Sequence, residues 1–137
     1  MVVNADITIY NTKMNKATKL PEYHRTQIAG VHVHVKQAIS TDSNGAHSAD
    51  VYKIRIPPEA DTRGKIYVSP SEYQAKEDVS GFWTIQNEDI VVRGLVNDEV
   101  TRQSEILAKY KDESCRVKSW ADNRFGALPH WRIGGMR

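Results

Sequence analysis

Val31-His32-Val33-His34-Val35-Lys36 and Tyr52-Lys53-Ile54-Arg55-Ile56 carry the clearest pattern in the chain, an unbroken alternation of apolar and polar side chains. Successive side chains of a strand leave opposite faces, so period two marks a half-buried strand with one face to the core and one to water. Val31, Val33 and Val35 then point inward while His32, His34 and Lys36 point out. Pro57-Pro58 ends the second run, because proline cannot donate to the ladder. The residues between the two runs include Ser40-Thr41-Asp42-Ser43-Asn44-Gly45, a composition that turns easily and packs poorly. They read as a mobile hairpin loop over 37–49.

The same alternation recurs on either side. Asp6-Ile7-Thr8-Ile9-Tyr10 is a strand and the polar stretch 11–22 a loop. Lys65–Val68 reads as a short strand. Ser69-Pro70-Ser71-Glu72 opens a short helix, with a capping serine, proline at the first helical position and glutamate three residues after the cap. Phe82-Trp83-Thr84-Ile85 and Ile90-Val91-Val92-Arg93 flank Gln86-Asn87-Glu88-Asp89, the pattern of a hairpin. A second helix falls within 101–111. Arg116–Trp120 and His130–Ile133 alternate around a turn at Asp122–Gly126, and 134–137, Gly-Gly-Met-Arg, reads as a flexible tail. Seven or eight short strands with one or two short helices and long polar loops, without βαβ alternation, specify a mainly-β domain over 1–137, a small barrel or sandwich.

Length agrees: 137 residues suit one domain with its own core. Met1-Val-Val-Asn-Ala-Asp has neither a basic nor an apolar leader segment, so no secretory signal is expected, and no apolar run is long enough for a membrane helix. Cys115 is the only cysteine, which rules out an intrachain disulfide and points to synthesis in a reducing cytoplasm. Charge is segregated along the chain. Residues 1–58 carry +3, 59–115 carry −5 and 116–137 carry +4. Two basic ends around an acidic middle lack the concentrated stripe of a nucleic-acid binder, and suit packing of a basic face on an acidic one.

Chemistry-bearing motifs are sparse. His32 and His34, two apart on a strand, share a face and would suit a metal or a small-molecule enzyme site. No carboxylate follows until Asp42, however, and Lys36 beside the pair would repel a cation. Asp61-Thr62-Arg63-Gly64-Lys65 lacks the first glycine and the hydroxyl of a phosphate loop. No nucleophile elbow, paired-cysteine or zinc-protease motif occurs. The expectation is a non-enzymatic protein without metal or cofactor. The least ordinary stretch is Ser119–Gly135, in which Trp120 and Trp131 flank an arginine-bearing turn. Asp122, Asn123, Arg124, Phe125 and Arg132 are its candidate interface residues, with Arg124 and Phe125 as exposed anchors, since aromatics and arginine dominate interface hot spots.

Four segments together resemble a known group: Ala5–Asn11, Ser48–Pro57, the Val79–Gly94 region and Ser119–Gly135. They are similar to small head–tail connector proteins of tailed bacteriophages and prophages, of the head-closure or stopper type, and the likeness spans nearly the whole chain. It implies a β-barrel subunit of a homo-oligomeric ring, hexameric or dodecameric, made in the host cytoplasm and residing at the virion neck. It implies as partners a portal-side adaptor, a tail terminator or tail tube protein, and packaged DNA in the lumen. In such a ring the 37–49 loop, or another long loop, would project into the lumen. A tail-junction ring protein of the terminator type is the alternative within that class. No catalytic residue is implied.

Overall fold

A computed structural model of the chain describes residues 2–42 and 45–137, with the side chains of 37–50 outside that description. The elements run β1 (Ala5–Met14), β2 (Pro21–Asp42), β3 (Gly45–Ile56), β4 (Ile66–Tyr67), α1 (Pro70–Ala75), β5 (Phe82–Trp83), β6 (Ile90–Arg93), α2 (Gln103–Lys109), β7 (Ser114–Asp122) and β8 (Trp131–Met136). Six of them close a barrel in the order β1-β2-β3-β8-β7-β6, and β6 returns to β1. All neighbours around it are antiparallel. Closure removes the free edges that an open sheet would present.

The alternation read from the sequence sorts the two faces. Ile7, Ile9, Val31, Val33, Ile54, Val117 and Ile133 line the interior. The lower end, where β1 hands over to β2, is filled by the segment between β3 and β6. Trp83 and Ile85 from that segment join the barrel core, and Tyr67 packs against it. Helix α1 begins as expected, with Ser69 Oγ accepting from the Glu72 amide at 3.3 Å. Helix α2 covers the outside of the β1–β6 seam, where Tyr10, Ile90 and Val92 meet Ile106. Among the described residues no helix is long and apolar enough to cross a membrane.

Several local expectations are corrected. The 11–22 loop shrinks to a turn, since β1 runs to Met14 and β2 starts at Pro21. Asn11 and Lys13 continue the inward parity of Ile7 and Ile9 as buried polar residues, and so disguise the strand. Phe82–Ile85 and Ile90–Arg93 do not pair with each other. β5 pairs in parallel with β4, while β6 pairs with β1 and β7, because Trp83 and Ile85 are drawn into the barrel. The 37–49 loop is replaced by strand: Gln37–Asp42 pair with Gly45–Asp50. These pairs lie beyond Val51, the last β3 residue that β8 covers, so the hairpin leaves the upper end as a two-stranded ribbon. Ser43 and Asn44, and the mobility expected of 37–49, lie outside the described residues. The expected tail is also strand, because Gly134–Met136 sit between β3 and β7.

Candidate functional site

The β7–β8 hairpin leaves the lower end of the barrel, opposite the ribbon. Asn123 and His130 close it by mutual backbone bonds, 2.9 Å from the Asn123 amide and 3.4 Å from the His130 amide. Asp122 organises the turn beyond them. Its Oδ1 accepts from the Arg124 amide at 3.2 Å and from Nε at 2.8 Å, and its Oδ2 accepts from Nη2 at 2.7 Å. This two-pronged bond holds the Asp122 carboxyl below its usual range and the guanidinium above its own.

Held in this way, the guanidinium lies 4.7 Å from the ring centre of Trp131 and 5.1 Å from that of Tyr67. Those two rings and Trp83 form a triad with centroids 5.0–5.1 Å apart. Edge-on and tilted packing of this kind suits the ring quadrupoles, and a cation over their faces adds to it. Arg124 therefore clamps the hairpin onto the aromatic plug of the lower end while remaining at the surface. The most exposed apolar side chains lie at the tip. Phe125 is 91% exposed and Leu128 70%. With Asp122, Asn123, Gly126, Ala127 and His130 they line an open hollow of about 490 Å³. Arg132 belongs elsewhere, on the outward face of β8 between Arg55 and Ala121.

A second polar constellation was not visible in the sequence. Asp89, 1% exposed, accepts from the Thr12 amide at 3.1 Å, Asn11 Nδ2 at 2.9 Å and Gln86 Nε2 at 3.0 Å. Burial pushes its carboxyl up, and these donors pull it back. Asn11 also donates to the Thr84 carbonyl at 2.7 Å and accepts from its amide at 3.2 Å. Gln74 reaches the Thr12 carbonyl at 2.8 Å. The network bolts the lower segment and α1 to β1, which is a structural task. Its one sequence signal is Asn11, a polar residue at an inward-facing register position.

His32 and His34 sit on the outer face of β2, opposite Arg55 and Lys53 of β3. Two cations across the strand disfavour a metal there, and among the described residues no group of three His, Cys, Asp or Glu is placed to hold one. Cys115 is buried in the core, where burial pushes its thiol up to about 12 and holds it protonated, the state of an inert thiol.

Comparison with known proteins adds one relationship. No curated protein and no solved structure matches the chain. Residues 2–136 match the model of a family of unknown function, DUF6751, and the chain belongs to that family.

Proposed function

We propose that this member of the family is a ring subunit of the head–tail connector of a tailed bacteriophage. It acts as the head-closure protein that joins a portal-side adaptor to the tail and helps retain packaged DNA. The four-segment resemblance supports this reading, and one structural observation carries it. The barrel bears two projections at opposite ends: the ribbon Gln37–Asp42 with Gly45–Asp50 above, and the apolar tip Phe125–Leu128 below. A subunit that sits between two different neighbours needs contact features facing both ways, and a buried catalytic cleft is not required of it. In this reading the ribbon reaches toward the lumen and the tip docks the layer beneath.

Deletion of the gene from a phage or prophage that encodes it tests the reading. The expected result is DNA-packaging heads that lack tails and lose their DNA. Complementation in trans restores tailed particles, and density for the chain lies at the neck of the restored virions. Stable, tailed, DNA-filled particles without the gene product overturn the reading.

A further inference from the structure

The two basic ends of the sequence are not separate in the fold. β8 inserts between β3 and β7, which brings Arg132 directly opposite Arg55 and sets Gly134 opposite Lys53. On the other side of β3, His32 faces Arg55, His34 faces Lys53 and Lys36 faces Val51. The outward residues 32–36 of β2, 51–55 of β3 and 132–136 of β8 thus form one wall with four cations, two imidazoles and no carboxylate among the described side chains. Neighbouring strands lie about 4.8 Å apart, so these charges crowd one another.

Among the described residues that crowding is unrelieved, and the ion pairs lie elsewhere: Arg63 with Asp61, Arg93 with Glu113, Lys109 with Asp98, Lys118 with Glu88. Lys36, Lys53, Arg55 and Arg132 are exposed, and no hydrogen bond or ion pair occupies them among the described residues. Gly134 adds shape. Its missing side chain opens a groove of about 290 Å³ between Lys53, Arg55 and Arg132. The exposed Ser119 hydroxyl lies where a Cβ at 134 would fall, 2.5 Å away. Three cations and a free hydroxyl around a groove suit a phosphate oxygen.

We propose that this wall binds the phosphate backbone of duplex DNA without regard to sequence. Among the described residues no aromatic side chain stands on it to stack an unpaired base, and the cations offer charge to phosphates in place of base readout. The wall continues to Lys36 at the foot of the ribbon. The inference rests on the connector reading for where DNA is met, and not for the binding itself.

Fluorescence anisotropy of the full chain with a labelled random-sequence duplex tests it. Four phosphate contacts give a log–log salt slope of about −3.6, so affinity falls roughly 100-fold between 50 and 200 mM salt. Lys53→Ala with Arg132→Ala should halve that slope and weaken binding at 50 mM salt by about tenfold or more. Gly134→Ala, which alters no charge but fills the groove, should weaken binding less. Lys16→Ala with Lys19→Ala, in the turn at the lower end, should leave it unchanged. Circular dichroism confirms that each variant is folded. No binding by about 100 µM at 50 mM salt, the weak limit for non-specific contacts, overturns the proposal. So does wild-type affinity in the Lys53/Arg132 variant. A salt-sensitive self-association lost in that variant, with no DNA binding, overturns it in favour of a protein partner. The connector reading fails separately, in the gene deletion.

Discussion

Gly135 lies against Cys115 so closely that a Cβ at 135 would stand 2.5 Å from the Cys115 sulfur and 3.2 Å from the Arg116 carbonyl oxygen. The contact locks β8 to β7 and explains why both a glycine and a small apolar residue are needed there. Gly135→Ala should cost about 1–3 kcal/mol, the usual penalty for an extra methyl group in a filled core. Cys115→Ala in the same chain should recover part of that loss, so the two changes will be less than additive in urea denaturation. Full additivity would show that the strands are not in contact there.

Arg124→Ala should loosen the lower end without unfolding the barrel. It removes the two-pronged bond to Asp122 and the cation over Trp131 and Tyr67. The pair is partly exposed, so the expected loss is about 1 kcal/mol. Tryptophan emission should shift to the red as water reaches the Trp131 ring. Phe125→Ala should change neither quantity, since its side chain is 91% exposed.

Asp89 gives a pH signature. Its carboxyl is raised by burial. An acid raised in the folded state favours folding at low pH, and that contribution fades as pH rises from the ordinary carboxylate range through the folded value. Asp89→Asn does not titrate, and it turns an amide donor toward at least one existing donor, Thr12 on one oxygen or Asn11 and Gln86 on the other, which should cost about 1–3 kcal/mol. The deficit of the variant relative to the parent should therefore be largest at low pH and shrink as pH rises. A deficit that grows with pH would contradict the placement of the carboxyl.

The sequence discloses 31–36 of β2, 52–56 of β3 and the start of β8 through strict alternation, and α1 through its cap, because those signals are local, but it reads the 37–49 part of the β2–β3 hairpin as loop. It hides the second half of β1, where Asn11 and Lys13 occupy inward positions that a hydrophobic pattern would leave apolar. It suggests a β5–β6 hairpin because both segments are apolar and a turn separates them. The pairing that forms is instead decided by where Trp83 can be buried. Gly134 and Gly135 look like a tail until their close neighbours on β7 are known. The basic wall is the largest omission. Lys53 and Arg132 meet only because β8 returns to pair with β3, and charge counted along the chain cannot register that.

The hairpin tip carries the sharpest functional prediction. Phe125 and Leu128 bury little in the isolated chain, so Phe125→Ser with Leu128→Ser should leave the free energy of unfolding within about 0.5 kcal/mol of the parent. Exposed aromatic and aliphatic side chains at the end of a projecting hairpin gain their stabilisation only when a partner covers them, and a few such residues supply most of an interface's energy. If the proposed connector role holds, the double variant introduced into the encoding phage should cut the yield of tailed particles at least tenfold while heads still fill. Arg124→Ala should act more weakly, because it misplaces the tip without removing it. Trp131→Ala should give a different phenotype, loss of soluble protein, since that ring belongs to the aromatic plug. If the Phe125/Leu128 variant gives normal yields of infectious particles, the tip is only a turn, and the proposed docking of the tail side through it fails.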